Sequence, residues 1–495
     1  TTLFRSVVAN GTCSSVNSGA ATITVDPVSV GGAVSGSTSV CTGSNSGSVT
    51  LSGHTGSVIR WELSTDGGTS WSNIANTTTT QSYLNLTTTT QYRAVVQSGT
   101  CTAVNSGSAT ITITSTTVGG SVGGSSNVCS GSNSGTLTLS GHTGSILKWE
   151  SSTDGGSTWT NIANTTTTQN YTNLTVTTQY RAQVQSCAPD YSSIATITID
   201  PVSVGGSVAG TTTVCSGSNS GTVTLSGHTG NIVRWEFSTD GGVTWVSITN
   251  TTTTHNYLNI TVNTKYRAVV QNGVCSAANS STATITIDPV SVGGSVSGNA
   301  TVCSGSNSGS LSLSGHTGNV LNWESSIDGG STWSSIANTT TTQNYNNLTA
   351  TTRYRAIVKN GTCASVASSF ATITVDPVSA GGAISGSTSV CSNTNSGSLT
   401  LSAHTGSVLR WESSTDGGTT WTNIVNTTTT QNYSNLIITT QYRAVVQNGV
   451  CSAVNSVSAT ITVDPISVGG SISGSATVCS GSNSGTLTIS GHTGS

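Results

Sequence analysis

Short runs of alternating apolar and polar residues, separated by glycine-containing turns, fill this chain from end to end. In residues 28–115 the alternation is clear in Ser48–Ser52, Val58–Leu63 and Gln91–Gln97. A period of two residues is typical of a strand with one buried face, and no stretch shows the helical period. The pattern predicts an all-β unit of about seven short strands with turns about every 8–12 residues.

The alternation also predicts which side chains face the core. In the two longest runs the inward positions carry apolar residues, and the outward positions carry three charged residues and one valine. The predicted inward residues are Val49, Leu51, Ile59, Trp61, Leu63, Tyr92, Ala94 and Val96, and the predicted outward residues are Arg60, Glu62, Arg93 and Val95.

This unit is repeated. Cys41, Cys129, Cys215, Cys303, Cys391 and Cys479 follow one another at spacings of 88, 86, 88, 88 and 88 residues. A tryptophan comes 20 residues after each of the first five, a second tryptophan 10 residues later, and a tyrosine 31 residues after the first tryptophan. We expect repeats at 28–115, 116–201, 202–289, 290–377 and 378–465, with a fragment of a preceding repeat at 1–27 and of a following one at 466–495.

Size, strand number and aromatic placement together predict a fold for each repeat. A tryptophan in the third strand and a tyrosine in the sixth are core positions of immunoglobulin-like sandwiches. The chain is therefore predicted to be a tandem array of immunoglobulin-like Greek-key β-sandwich domains of about 88 residues each. Near-identical repetition argues against an enzyme, because a catalytic site is needed once whereas a spacer gains length from every copy.

The third and sixth strands are neighbours in such a fold, so their outward residues should meet. This predicts an exposed cross-strand ion pair in each repeat, worth roughly 0.2–1 kcal/mol. The pairs are Glu62 with Arg93, Glu150 with Arg181, Glu236 with Arg267, Glu324 with Arg355, and Glu412 with Arg443. The alternative is that these arginines clamp a ligand.

Charge and cysteine content narrow the class of protein. Charged residues make up 6% of the chain, and its 13 basic residues are dispersed rather than clustered, which argues against nucleic-acid binding. No apolar run is long enough to span a membrane. The 12 cysteines occur two to a repeat in units with only 33% hydrophobic residues. Paired cysteines in domains with thin cores indicate an oxidising, extracellular environment.

The repeat resembles the immunoglobulin-like tandem repeats of giant cell-surface and gliding-type adhesins of Bacteroidota. The resemblance rests on Cys129 before the strand Leu137–Ser140, the stretch Trp149–Trp159, the threonine run before Tyr-Arg-Ala, and a second cysteine before Ala-Thr-Ile-Thr. It covers the whole chain and implies a sandwich fold at the cell surface, but it specifies no ligand.

One motif suggests an enzyme at first sight. Residues 152–159 match the Asp-box pattern S-x-D-x-G-x-T-W, which is familiar from sialidases, and the aspartates recur as Asp66, Asp154, Asp240, Asp328 and Asp416. Glycoside hydrolysis usually needs two suitably spaced carboxylates, and no second one is paired with this aspartate in the sequence. We interpret the motif as a structural turn in which the carboxylate caps backbone amides.

Three further features have both a structural and a functional interpretation. The histidine of each His-Thr-Gly turn, such as His54, is interpreted as a turn residue because zinc needs three or four ligands. The single junction acids Asp26, Asp200, Asp288, Asp376 and Asp464 are too few for calcium, and the junction at residue 115 has serine. Runs such as 76–80 are threonine-rich loops or O-glycan carriers, and the sequence leaves that choice open. No cofactor, metal site or catalytic residue is predicted.

Two disulfide pairings fit the cysteine spacing. Cys101 could pair with Cys41 in its own repeat or with Cys129 across the junction, and loop entropy is about 4 kcal/mol for either, so it does not decide. The topology of a sandwich favours the first, because the final strand separates Cys101 from Cys129. The predicted pairs are Cys41–Cys101, Cys129–Cys187, Cys215–Cys275, Cys303–Cys363 and Cys391–Cys451, with Cys13 and Cys479 unpaired.

The sequence therefore predicts a structural extracellular protein, the rigid repeat stalk of a cell-surface adhesin or a surface fibre. Its partners would be its own neighbouring repeats and, in a fibre, lateral copies of itself. The alternative is an array of weak carbohydrate-binding modules that bind surface glycans by avidity. Binding modules usually expose an aromatic platform, whereas the recurring aromatics here fall at predicted core and turn positions.

Overall fold

A computed structural model describes residues 1–495 as an all-β chain. Each of five repeats contains nine strands, which are labelled β1–β9 here and carry the same labels in every repeat. In repeat 1 they are β1 Ala33–Ser35, β2 Thr38–Cys41, β3 Ser46–Ser52, β4 Ser57–Ser64, β5 Ser72–Ile74, β6 Thr80–Leu84, β7 Thr90–Gln97, β8 Val104–Asn105 and β9 Ala109–Thr114.

The other repeats keep this order. Repeat 2 has Ser121–Gly123, Ser126–Cys129, Ser134–Ser140, Ser145–Ser152, Thr160–Ile162, Thr168–Thr172, Thr178–Gln185, Pro189–Tyr191 and Ala195–Asp200. Repeat 3 has Ser207–Ala209, Thr212–Cys215, Ser220–Ser226, Asn231–Ser238, Val246–Ile248, Thr254–Leu258, Thr264–Gln271, Ala278–Asn279 and Ala283–Asp288. Repeat 4 has Ser295–Ser297, Ala300–Cys303, Ser308–Ser314, Asn319–Ser326, Ser334–Ile336, Thr342–Asn346, Thr352–Lys359, Val366–Ala367 and Ala371–Asp376. Repeat 5 has Ala383–Ser385, Thr388–Cys391, Ser396–Ser402, Ser407–Ser414, Thr422–Ile424, Thr430–Ser434, Thr440–Gln447, Val454–Asn455 and Ala459–Asp464.

The two terminal segments contain short paired strands. Thr2–Phe4 pairs with Ala21–Ile23, and Val7–Val8 pairs with Val16–Asn17. Near the other end, Ser471–Ser473 pairs with Thr488–Ser490.

The strands of each repeat form two sheets. The smaller has the order β6–β3–β1, and the larger has the order β2–β9–β7–β4–β5, with β8 beside β7. All neighbours are antiparallel except β2 and β9, which run parallel, with Cys41 opposite Thr114. This strand order and the core between the sheets confirm the predicted immunoglobulin-like sandwich.

Each repeat has its own hydrophobic core between the two sheets. The five cores contain 10 or 11 buried residues each. At the centre of the first, Trp61 is completely buried, and its indole N–H donates to the carbonyl oxygen of Thr78 at 2.9 Å. Asn76 holds that threonine-rich turn in place, because its Oδ1 accepts from the Thr78 amide at 2.9 Å and its Nδ2 donates to the Thr80 carbonyl at 2.8 Å. The threonine run is therefore an ordered turn that satisfies the buried indole.

A β-bulge changes the predicted faces of β4. Val95 lies opposite Arg60 and Val96 opposite Val58, so Ile59 has no partner on β7. The extra residue moves Val58 into the core and leaves Ile59 37% exposed, so the prediction that Ile59 faces inward is wrong. The same irregularity lies at Leu147, Val233, Leu321 and Leu409. Val95, predicted to face outward, is buried.

Candidate functional site: turns, ion pairs and repeat junctions

The Asp-box aspartate caps the turn between β4 and β5. In repeat 1 the Oδ1 of Asp66 accepts hydrogen bonds from the amides of Thr69 and Ser70, both at 2.9 Å, and from the Ser64 hydroxyl at 2.7 Å. The Ser70 hydroxyl donates to the other carboxylate oxygen. Gly67 and Gly68 adopt φ of 75° and 93°, a region that L side chains rarely adopt.

These bonds determine the chemistry of the aspartate. The Ser70 hydroxyl and amide, followed by the Ser64 hydroxyl, hold the pKa of Asp66 far below its usual range. The carboxylate is thus permanently ionised near neutral pH and occupied by several donors, which suits a cap and not a general acid. The equivalent residues Asp154, Asp240, Asp328 and Asp416 have the same environment.

A glutamate on β4 holds two cations in four of the repeats. The Oε2 of Glu62 lies 2.7 Å from Arg93 on β7, and its Oε1 lies 2.7 Å from Arg60. The guanidinium of Arg93 also stacks on the ring of Trp71, 4.0 Å from its centroid. The structure brings together all five predicted pairs, including Glu150 with Arg181, Glu236 with Arg267, Glu324 with Arg355, and Glu412 with Arg443.

These pairs are not exposed in the way the sequence predicted. Glu62 is only 5% exposed, because Trp71 and the two arginine side chains cover the outer face of the sheet. Burial opposes its charge, but hydrogen bonds from Arg93 and Arg60 outweigh that effect and lower the pKa of Glu62. Arg93 is therefore already engaged by a carboxylate and an indole, which argues against the ligand-clamp alternative.

Repeats 2 and 4 vary this arrangement. Lys148 takes the place of the second arginine in repeat 2 and lies 2.7 Å from Glu150. In repeat 4 the position holds Asn322, and the Glu324 side chain is 20% exposed instead of the 5–6% of the others. The second cation thus contributes to covering the glutamate.

The histidine of each His-Thr-Gly sequence in the five repeats lies in the turn between β3 and β4, whereas His255 lies on β6 of repeat 3. The Nδ1 atoms of His228 and His316 are buried and have no hydrogen-bond partner. No group of three or more histidine, cysteine, aspartate or glutamate side chains lies close enough together to hold a metal ion.

The disulfides link successive repeats, and the predicted pairing within each repeat is wrong. In repeats 1 to 4 the first cysteine bonds to the second cysteine of the next repeat, with Cα atoms 4.8–5.6 Å apart. The observed pairs are Cys41–Cys187, Cys129–Cys275, Cys215–Cys363 and Cys303–Cys451. Cys13, Cys101, Cys391 and Cys479 are unpaired. Neither Cys41–Cys101, Cys129–Cys187, Cys215–Cys275, Cys303–Cys363, Cys391–Cys451 nor the alternative Cys101–Cys129 is formed.

Strand direction is the physical reason. Cys41 ends β2, which runs parallel to the last strand β9, so it lies beside Thr114 where the chain leaves the repeat. Cys101 follows β7, which is antiparallel to β9, so it lies at the opposite end, with its sulfur 3.4 Å from the carbonyl oxygen of Pro27. The two cysteines of one repeat are therefore at opposite ends, where in repeats 2 to 4 each meets a cysteine of an adjacent repeat.

An aspartate and a glycine complete each regular junction. Asp288 is the last residue of β9 in repeat 3, and its Oδ2 accepts a hydrogen bond from the Thr362 amide of repeat 4 at 2.8 Å. The neighbouring Gly361 has φ of 46°, and any Cβ there would collide with the Asp288 carboxylate. Asp26, Asp200 and Asp376 make the same contact with Thr100, Val274 and Val450.

The junction between repeats 1 and 2 lacks both partners. Thr114 stands at the aspartate position and Ser115 at the proline position that follows it, so Ser115 is not the residue that replaces the junction acid. The two residues equivalent to Gly99 and Thr100 are missing before Cys187. The Thr117 hydroxyl accepts from the Ser186 amide at 3.0 Å, as the equivalent Ser29 does from Ser98, and here it also accepts from the Cys187 amide at 3.0 Å. The aspartate and the Gly-Thr or Gly-Val pair that it contacts are thus present together at four junctions and absent together at this one.

Sequence reasoning missed a buried asparagine that positions the first cysteine. Asn45 donates from Nδ2 to the carbonyls of Cys41 at 2.6 Å and Leu86 at 2.8 Å, and its Oδ1 accepts from the Leu86 amide at 2.9 Å. The signal was present as a Cys-x-x-x-Asn spacing that recurs at Asn133, Asn219, Asn307 and Asn395.

A family model described as "Domain of unknown function (DUF8696)" matches the chain five times, at residues 30–115, 118–201, 204–289, 292–377 and 380–465. The chain belongs to this family. No curated protein sequence matches it.

Several solved structures are similar to the chain at low sequence identity. A titin I-band fragment, I67–I69, is 13% identical, covering 51% of this chain and 95% of the fragment, with a TM-score of 0.34. Sidekick-1 immunoglobulin domains 1–5 are 12% identical, covering 87% of this chain and 97% of that one, with a TM-score of 0.23. The four N-terminal immunoglobulin domains of Dscam1 isoform 4.44 are 11% identical, covering 71% and 99%, with a TM-score of 0.22. The structure contains no helix that is long and apolar enough to cross a membrane.

Proposed function

We propose that this chain is a structural extracellular protein, a stalk segment of a cell-surface adhesin or a surface fibre of the Bacteroidota type. One observation carries the proposal: the recurring aspartates, glutamates and cysteines are used to fold a repeat or to fasten it to a neighbour. The Asp-box aspartates cap turns, the glutamates hold arginines, and the cysteines join neighbours. Four disulfides between repeats also favour an oxidising environment.

The proposal is tested by locating the protein on intact cells of its source. Antibodies raised against the purified chain should label the outside of unpermeabilised cells or filaments attached to them. External protease should remove the signal, while a cytoplasmic marker protein should survive. Labelling that appears only after permeabilisation, with the cysteines recovered as thiols, would refute it.

The alternative, an array of carbohydrate-binding modules, is tested on the same purified chain. In repeat 1 the half-buried Trp71 donates its indole N–H to the Gly68 carbonyl at 3.0 Å and carries Arg93 on one ring face. A glycan array should therefore show no defined sugar bound at millimolar or tighter affinity. Binding that is lost on mutation of a surface residue would favour the alternative.

A further inference from the structure

The cross-repeat disulfides divide the chain into two kinds of segment. Segments of 28 residues run from the second cysteine of one repeat to the first cysteine of the next, as in Cys187–Cys215. The longer segments, such as Cys215–Cys275, run from the first to the second cysteine of one repeat. Each longer segment contains β3–β7 and therefore most of the core, including Trp235.

The short segments and the disulfides form two separate covalent routes along the molecule. The first route passes from Cys41 to Cys187, along the backbone to Cys215, across to Cys363 and along the backbone to Cys391. The second route takes Cys101 to Cys129, crosses to Cys275, follows the backbone to Cys303 and crosses to Cys451. Neither route passes through the β3–β7 segment of any repeat it crosses.

The two routes lie side by side inside each sandwich. In repeat 2, β2 belongs to the second route and β9 to the first, and they pair in parallel from Ser126 opposite Ile197 to Cys129 opposite Asp200. Each route is already largely strand, since Cys187–Cys215 contains β8 and β9 of one repeat and β1 and β2 of the next.

We propose that this double covalent ladder makes the oxidised chain nearly inextensible, because tension is carried by the two routes and not by the sandwich cores. A repeat whose core unfolds under load would then release almost no length. The proposal concerns the load that a stalk could carry and rests on the proposed function only for its biological use. A force measurement that contradicts the ladder would not affect the proposed surface location. A location other than the cell surface would not affect the ladder.

Single-molecule force extension of the whole chain tests this, with click-reactive handles at the exposed loop residues Ser44 and Thr394. In the oxidised chain the shortest covalent path between them crosses two disulfides and follows the backbone for 62 residue-to-residue steps. Along the sequence alone the path has 350 such steps. At roughly 3.5 Å per residue the oxidised chain should stop extending at about 220 Å, and the reduced chain at about 1,200 Å.

Two double variants, each of which lacks one disulfide, serve as the test and its matched control. The double variant Cys41→Ser/Cys187→Ser breaks the first route, and the shortest remaining connection is 170 steps, so the limit should rise to about 600 Å. The control Cys129→Ser/Cys275→Ser breaks only the second route and should leave the limit at about 220 Å. An oxidised chain that extends in repeat-sized steps, or two variants that behave alike, would overturn the proposal.

Discussion

At the scale of single residues, the recurring charged groups are ionised because the fold surrounds them with donors. Asp66 accepts from two amides and two hydroxyls, and Glu62 accepts from two arginines. The sequence was sufficient to predict the turn and the pairing, since both follow from local spacing. It could not predict the burial of Glu62, because that depends on Trp71 and both arginines folding over the same face.

These depressed pKa values predict how stability depends on pH. A carboxyl group whose pKa is lowered in the folded state stabilises it above the unfolded-state pKa, and that contribution is lost as the pH falls. Unfolded aspartate and glutamate titrate near 3.9 and 4.3, so the thermal midpoint should be flat above about pH 5 and fall below about pH 4. Calorimetry between pH 2 and about 8 measures this.

The two kinds of carboxylate can be separated by substitution. Replacing all five turn aspartates with asparagine should shrink the acid dependence but leave the part due to the buried glutamates. A midpoint that rises as the pH falls below 4 would contradict the assignment of ionised, stabilising carboxylates.

A second prediction concerns the buried glutamate itself. Glu236→Gln removes the charge that Arg234 and Arg267 both contact at 2.7 Å, and should destabilise repeat 3 by about 1–3 kcal/mol. Hydrogen exchange of β4 and β7 in repeat 3 reports the loss, with the same strands of repeat 1 as internal reference. The control is Arg234→Asn, which reproduces Asn322 of repeat 4 and should cost less than about 1 kcal/mol. If Glu236→Gln and Arg234→Asn destabilise repeat 3 equally, the glutamate contributes no more than an exposed ion pair does.

At the scale of elements, two local features escaped the sequence pattern. The bulge at Ile59 shifts one residue of β4, and strict alternation cannot reveal it because both Val58 and Ile59 are apolar. The sequence pattern does not reveal the short β2, Thr38–Cys41, as the parallel partner of β9, and without this strand the predicted disulfides are wrong. Strand direction, which the spacing of cysteines does not contain, decides at which end of the sandwich each sulfur lies.

Peptide mapping under non-reducing conditions tests the pairing directly. Trypsin releases Cys41 in Ser6–Arg60, Cys101 in Ala94–Lys148 and Cys187 in Ala182–Arg234. We expect the first peptide to be joined to the third, because Cys41 and Cys187 lie with Cα atoms 5.6 Å apart across the junction. A link between the first and second peptides would restore the pairing within a repeat and remove the basis of the covalent ladder.

The junction contact makes a prediction of its own. Gly361→Ala forces a Cβ against the Asp288 carboxylate, two residues from Cys363, and should disturb the junction that aligns Cys363 with Cys215. After equilibration in a glutathione buffer, the fraction of Cys215–Cys363 disulfide should fall. Gly315→Ala is the matched control, since Gly315 has φ of 65° in open space and Ala403 occupies its position in repeat 5.

The result has a clear interpretation. If both alanine variants lower the disulfide fraction equally, Gly361 is needed only because its backbone adopts a positive φ. If Asp288→Ala raises the disulfide fraction of the Gly361→Ala variant more than it raises that of the unaltered chain, the collision with the carboxylate is the cause.

At the scale of the whole molecule, each repeat has its own core, whereas neighbouring repeats are held together by contacts across their junctions. Each of the five cores lies between the sheets of one repeat, whereas each disulfide and each aspartate contact crosses a junction. The repeat number and the sandwich fold were predictable because they follow from periodicity. The way repeats are joined was not, because it depends on which groups two separate sandwiches present to each other.

This division predicts that reduction loosens the junctions and leaves the domains folded. Linkers such as 200–206 are short and begin with Asp200 and Pro201, so the oxidised chain should scatter X-rays as an extended, fairly straight rod. Reduction removes the cross-links but no core contact, so the rod should become more flexible while the fluorescence of the buried tryptophans stays unchanged. The control Cys101→Ser/Cys391→Ser replaces only unpaired cysteines and should scatter like the unaltered chain. Compact scattering before reduction would contradict the rod, and a shift of tryptophan emission on reduction would show that the disulfides support the cores and not only the connections between them.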